Sequence, residues 1–167
     1  MQAKEKNWYP VYTHARSEKA AYSQLKRKGI ETYLPLQKQQ KQWSDRKKWI
    51  EEPLIKSYVF VHIDSREMAE VLMTKGISRF IYFSGKVAQM PQQQIDHLKL
   101  LMATADDLEI TSENLSAGEK VIVKAGPLKG MRGEMIARRG TKKMMVKLEE
   151  LSQSILITMP SALLDRV

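Results

Sequence analysis

Cysteine is absent from this chain of 167 residues. Disulfide frameworks and Cys-built zinc sites are thereby excluded, and a reducing compartment is compatible with the sequence. Histidine is scarce as well. His14, His62 and His97 lie far apart, none at i, i+4 from another, so no metal-ligand spacing is present. No run approaches the ~20 apolar residues of a transmembrane helix. The opening MQAKEKNWYP has no apolar stretch after its basic residues, as a secretory leader would. These absences predict a cytoplasmic protein that does not engage membranes. The carboxylates show no paired spacing for general acid/base work. The Gly-rich stretch Gly126 to Gly133 (GPLKGMRG) lacks the Gly-Lys-Ser/Thr ending of a phosphate-binding loop. The expectation is a protein that is not an enzyme and needs no cofactor.

Acidic residues are also in deficit. There are 19 Asp and Glu against 28 Lys and Arg, a net charge of +9, which points to an anionic partner, nucleic acid foremost. A basic surface that only confers solubility is the plainer alternative. Hydrophobic residues make up 43% of the chain, enough for a packed core.

Alternation from Trp8 to Thr13 predicts a strand with Trp8, Pro10 and Tyr12 on one face and Tyr9, Val11 and Thr13 on the other. Pro10 cannot donate a ladder hydrogen bond, which predicts an edge position. A helix follows, with Ser17 as cap, Ala21 and Leu25 on its inner face and Gly29 as its end. Ile30 to Leu36 reads as a second strand. Gln37 to Trp49 is polar and basic, without clean periodicity, and reads as a long exposed loop or hairpin. Leu54 to Ile63 is the clearest strand. Ile55, Val59, Val61 and Ile63 face one way; Lys56, Tyr58, Phe60 and His62 face the other. Asp64 with Glu67 has capping-box spacing before a short helix that stops at Gly76. Ser84-Gly85 marks a hairpin turn between Arg79–Phe83 and Lys86–Met90. Pro91 opens a third helix with Ile95, Leu98, Met102 and Ala105 on one stripe.

This order predicts an α+β protein: an N-terminal α/β sandwich with an antiparallel sheet over residues 1–105. Residues 106–116 are acidic and polar and read as a linker. Residues 117–167 hold short strands punctuated by glycine and read as a small SH3-like β-barrel.

Two features carry functional meaning. Tyr12, Tyr58 and Phe60 share the sheet face opposite the aliphatic core and form an aromatic patch. A helix covering them would make them core. With an aliphatic face already supplied, the expectation is an exposed docking site. The second feature is basic charge: His14, Arg16 and Lys19 with Lys26, Arg27 and Lys28 on the first helix, and Lys38, Lys41, Arg46, Lys47 and Lys48 interleaved with Trp43 and Trp49 in the polar segment. Cations beside exposed aromatics suit phosphate contact with base stacking.

WYPVYTHARSEKAA, EPLIKSYVFVHI, TKGISRFIYFSG and VIVKAGPLKGMRGEM occur in the order that resembles a NusG N-terminal domain followed by a KOW domain. The Lys/Gln-rich insertion is similar to specialised paralogues, the UpxY polysaccharide-locus antiterminators and RfaH. The resemblance implies a monomeric transcription elongation factor that docks on the clamp helices of RNA polymerase and suppresses pausing or termination at particular operons. It implies a polymerase pocket of Tyr12, Tyr58, Phe60 and Phe83. It implies contact with non-template DNA or leader RNA through His14, Arg16, Lys19, Lys75 and Arg79, to which the loop residues Trp43, Lys47 and Lys48 are added. In the KOW domain the turn Gly126, Pro127, Leu128 and Met131 would meet a partner such as NusE. Met131 stands where an aromatic is expected, which argues against Rho binding. A housekeeping NusG assisting Rho and an RNA- or ribosome-binding KOW protein are the alternatives.

Overall fold

Pro10 lies in an interior strand. In the computed structural model, which describes residues 5–105, 108–115 and 118–167, β1 (Asn7–Thr13) pairs antiparallel with β5 (Tyr58–Ile63) on one side and β6 (Ile77–Phe80) on the other. The expectation of an edge fails, and the reason is directional. Thr13 N–H donates to Ser57 O on the β5 side, while Trp8 O accepts from Met90 N–H on the other. Backbone groups alternate sides along a strand. Pro10 therefore turns its missing donor away from β5, towards the side where the β6 ladder has stopped at Val11–Phe80. The proline sits in the gap before the Trp8–Met90 bridge.

The chain divides into two units, residues 1–95 and 96–167. In the first, β2 (Glu31–Tyr33) completes a sheet of order β2-β5-β1-β6. Tyr9 and Val11 of β1 and Val59, Val61 and Ile63 of β5 form the core face, packed with Ala21 and Leu25 of helix α1 (Glu18–Arg27) and Val71 of α2 (Met68–Leu72). The predicted strand from Leu54 begins only at Tyr58, because Ser57 takes a left-handed φ of 68° that interrupts extension. Its N–H donates to the buried Glu18 carboxylate.

A register shift between β1 and β6 leaves Ser78 unpaired between Ile77↔Thr13 and Arg79↔Tyr12. A bulge of this kind breaks the period of two. Both Ile77 and Phe80 thereby reach the core, and Arg79 is left on the opposite face.

The capping box forms: Asp64 accepts from Arg66 N–H and Glu67 accepts from Asp64 N–H, in a 3₁₀ turn ahead of α2. Ser17 stands at the N-cap of α1, but its hydroxyl donates to Ala15 O and caps no helix N–H. Gly29, at φ 77°, ends α1 as expected. Gly76 (φ 94°) is a true requirement, since a Cβ there would sit 3.2 Å from Ala21 Cβ. The Gln37–Trp49 segment is a hairpin, β3 (Leu36–Gln42) with β4 (Lys47–Pro53), separated from β2 by Pro35. β7 (Tyr82–Phe83) and β8 (Lys86–Val87) form a second small hairpin on a turn with Ser84 at φ 53° and Gly85 at φ 77°. Helix α3 (Gln92–Thr104) buries Ile95, Leu98 and Leu101; Met102 and Ala105, expected on that stripe, are half-buried.

The second unit is a six-stranded antiparallel sheet in the order β14-β10-β11-β12-β13-β9. Its strands are β10 (Lys120–Val123), β11 (Arg132–Arg138), β12 (Thr141–Leu148) and β13 (Gln153–Ile157), close to strands readable from the sequence, and β14 (Leu164–Arg166), which the sequence reading does not include. The sixth, β9 (Leu108–Thr111), falls in the expected linker and pairs with β13 through four residues. Its neighbours join the unit too. Leu115 packs on Ile136, Met145 and Leu156, and Glu113 with Glu109 binds Arg138. The acidic composition that suggested a linker instead supplies partners for the basic β11 and β12. Residues 106, 107, 116 and 117 of that stretch lie outside the described residues.

Two predictions follow from this packing. Burial raises the Glu109 carboxyl, but hydrogen bonds from Arg138 and Lys143 outweigh it and hold it below the ordinary 4.5. Glu113 is lowered mainly by its hydrogen bond to Arg138. Lowered folded-state values stabilise above the ordinary carboxylate range and lose that contribution as pH falls through them. Arg138→Gln is expected to lower the melting temperature at neutral pH, and its difference from wild type should shrink as the pH falls below the ordinary carboxylate range. Calorimetric melts across pH 3–7 check this. Phe60 is fully buried, so Phe60→Ala is expected to cost about 3–5 kcal/mol. Phe83→Ala, at an exposed site, should stay within about 0.5 kcal/mol. Denaturant titration separates them.

Candidate docking face and nucleic-acid interface

The strand registers arrange the second face of the first sheet in three rows. Glu31, His62 and Trp8 form one, Tyr33, Phe60 and Pro10 the next, and Tyr58, Tyr12 and Arg79 the last. Trp8 stacks on His62 at 4.8 Å, Tyr33 on Phe60 at 6.4 Å, and Tyr12 meets Tyr58 at 4.8 Å in a tilted contact. The aromatic patch predicted from strand parity is therefore assembled, and Tyr33 belongs to it. The sequence offered that residue only through the pairing partner of Phe60, which is not readable before β2 is placed.

Its exposure is a correction. Phe60 is fully buried and Tyr58 is 7% exposed. Trp8 is also buried, and its Nε1–H donates to Gln92 Oε1 at 2.9 Å, so the first turn of α3 closes that end of the face. The open end is the third row, where Tyr12 is half-buried and Arg79 exposed. Burial first, and then the neighbouring, hydrogen-bonded Tyr12, push the Tyr58 phenol up to about 12. It stays neutral, a donor, at physiological pH. Phe83 is in another place: it lies on the β7–β8 hairpin beside Tyr82, at 46% and 66% exposure.

The basic residues fall into two groups. His14, Arg16, Lys19 and Lys75 are all exposed. His14 N–H donates to Gly76 O, which brings the loop before α1 against the Lys75–Gly76 loop. Arg16 and Lys19 line a cleft of about 600 Å³ together with Lys41, Glu51, Glu52 and Lys56. Lys19 Nζ donates to Glu51 O at 2.5 Å and Lys41 pairs with Glu52 at 2.6 Å. Lys19 thus holds the hairpin base to α1 and Lys41 joins the two arms of the hairpin, while Arg16 and Lys56 also face the cleft. Lys56 was not singled out from the sequence, because a lone lysine before a strand gives no signal. Arg79 lies elsewhere: its guanidinium carbon is 5.2 Å from the Tyr12 ring centroid, in the aromatic row.

On the β3–β4 hairpin the cross-strand register divides the basic and aromatic residues between two faces. Lys38, Lys47 and Trp49 share one; Lys41, Lys48 and Trp43 share the other. Lys48 Nζ lies 5.8 Å from the Trp43 ring centroid. Trp43 and Trp49 are 51% and 67% exposed.

A family model described as transcription termination factor nusG matches residues 6–99. The chain belongs to the NusG family. Members of this family are non-enzymatic transcription factors, and this protein is a transcription elongation factor. Among solved structures, NusG of Thermotoga maritima is similar to it, with a TM-score of 0.59, 16% identity and 98% of each chain covered. An MjSpt4:Spt5 complex aligns at 19% identity over 96% of this chain and 97% of its own, with a TM-score of 0.28. The Thermotoga likeness bears on the fold, an N-terminal NusG unit followed by a KOW-like β unit.

In that second unit the expected partner turn is corrected. Leu128 is 8% exposed and Met131 only 1%, so both side chains are core. Val123 N–H donates to Met131 O, and Met131 N–H donates to Leu128 O, which draws the turn inward. Gly126 and Pro127 remain at the surface. Met131 cannot take the place of an exposed aromatic. Among the described residues no group of His, Asp and Glu gathers as a metal site, and no helix is long and apolar enough to cross a membrane.

Proposed function

We propose that this protein binds the clamp helices of RNA polymerase through the open end of the aromatic face, with Phe83 as a second contact, and suppresses pausing or termination at a restricted set of operons. The observation that carries the reading is the third row: Tyr12 half-buried, in tilted contact with Tyr58 and continuous with a buried aromatic floor. Rigid aromatics on a packed floor make effective anchors for a protein partner. His14, Arg16 and Lys75 then meet the non-template DNA strand. The protruding hairpin with Trp43, Lys47, Lys48 and Trp49 supplies target selection on single-stranded DNA or leader RNA. The protein works as a cytoplasmic monomer, and the KOW-like unit offers Gly126, Pro127 and its basic strands to NusE or another regulator.

Tyr12→Ala is expected to weaken binding to core RNA polymerase about tenfold or more, the loss of one docking anchor. His14→Ala and Arg16→Ala should bind polymerase as wild type does. A pull-down with purified polymerase measures both, and wild-type affinity in Tyr12→Ala would remove the pocket. In a Rho-dependent termination assay, added protein should raise read-through; increased termination would favour a housekeeping role.

The double variant Lys47→Ala, Lys48→Ala is expected to bind single strands more weakly. Its log-log salt slope should be shallower by about 0.7 for each lost phosphate contact. Titrations at several salt concentrations decide it, and an unchanged slope would take the hairpin out of the interface.

A further inference from the structure

Arg79 occupies an unusual position for a basic residue. The Ser78 bulge leaves it alone on the face opposite Ile77 and Phe80. It opposes Tyr12 across the β1–β6 ladder, and its guanidinium lies over the Tyr12 ring. Among the described residues no carboxylate pairs with it, and its side chain is exposed. A guanidinium stacked on an aromatic face keeps its N–H edge free and planar, pre-organised for two parallel hydrogen bonds to one carboxylate. The phenols of Tyr12 and Tyr58 stand next to it in the same row. Other ionised residues of this protein, such as Arg138 and Arg66, are engaged by acids of their own chain. Arg79 is held by a ring instead.

We propose that Arg79 is a specificity determinant of the docking face: its guanidinium, held over the Tyr12 ring, receives a carboxylate presented by the protein partner, beside the Tyr12 and Tyr58 hydroxyls. A phosphate would also fit a guanidinium. The row favours the carboxylate because the other side chains of Arg79's row, Tyr12 opposite it and Tyr58 beyond, are phenols rather than further cations, whereas surfaces that track a nucleic-acid backbone gather several. The floor beneath is aromatic, the composition of a protein-docking site. This inference rests on the reading that the face binds RNA polymerase.

The experiment uses the full chain with Arg79→Met, Arg79→Lys and Tyr12→Ala. Each is titrated against core RNA polymerase and against a single-stranded DNA oligonucleotide, at low and moderate salt. Thermal melts confirm that each variant folds. Arg79→Met should lose about tenfold or more in polymerase affinity, as expected for a lost charge-assisted contact. Its polymerase affinity should also respond less to salt than that of wild type. Arg79→Lys should recover only part of the loss, because an ammonium lacks the planar fork. DNA affinity should be unchanged in both. Wild-type polymerase affinity in Arg79→Met, with a loss in Tyr12→Ala, overturns the role of Arg79 and leaves the docking reading standing. Wild-type affinity in both overturns the docking reading itself. A loss confined to DNA makes Arg79 a phosphate contact and overturns the proposal.

Discussion

The β1–β5 register is the constraint on which the first unit depends. Six consecutive pairs, from Asn7↔Ile63 to Tyr12↔Tyr58, fix which side chains go to which face. A slip of one residue would send Val59, Val61 and Ile63 outward and bring Tyr58, Phe60 and His62 into the aliphatic core. The register is held from both sides. The aliphatic face packs on α1 and α2, and the aromatic face packs on itself and is hydrogen-bonded through Trp8 to the start of α3. Pro10 tolerates this interior position because its missing donor falls in a gap of the β6 ladder. The bulge at Ser78 belongs to the same arrangement, since it lets a short strand serve the core at both ends while leaving one cation on the other face.

Strand parity, the Asp64–Glu67 capping box, Gly29 and the Ser84-Gly85 turn were legible in the sequence because each is local: its signal and its structure occupy the same few residues. The faces of β1 and β5 were therefore assigned correctly, and the aromatic patch followed from them. What parity cannot report is coverage. Whether Phe60 is core or surface depends on where residues thirty positions later come to rest, and Gln92 on Trp8 is such a contact. Met131 failed for a related reason. The family position suggests a surface aromatic, but the inward turn set by the Val123 and Leu128 hydrogen bonds is a tertiary fact.

The expected linker shows how composition can mislead. Asp and Glu without basic residues read as a solvated connector when no partner is in view. In the fold, Glu109 and Glu113 face Arg138 and Lys143, cations that the β11–β12 hairpin would otherwise crowd together. Leu108, Ile110 and Leu115 are the residues in that stretch with apolar signal, and all are used: Leu108 and Ile110 in β9, Leu115 on the small cluster around Met145. Four residues of strand, with Glu109 in it and Glu113 just after it, suffice because β13 presents an otherwise unpaired edge, and covering an edge removes a site for unwanted pairing.

The β3–β4 hairpin poses the opposite problem, since it has order without a core. A two-stranded ribbon is marginal in water by itself. Among the described residues it is fastened near its base, where Leu36 packs on the core cluster and Lys19 of α1 donates to Glu51 O, while Leu54 N–H to Pro35 O and the Lys41–Glu52 pair join its own two arms. Beyond that base the register continues to Gln42↔Lys47, carrying two exposed tryptophans on opposite faces. Both rings are exposed and neither belongs to the core cluster formed by the described residues of the unit, so stability does not explain them. Exposed aromatics flanked by like charges raise the risk of association and add little to folding. A ribbon with a tryptophan and lysines on each face is suited to a partner that offers both negative charge and stacking surfaces, which is the chemistry of an unpaired nucleic-acid strand.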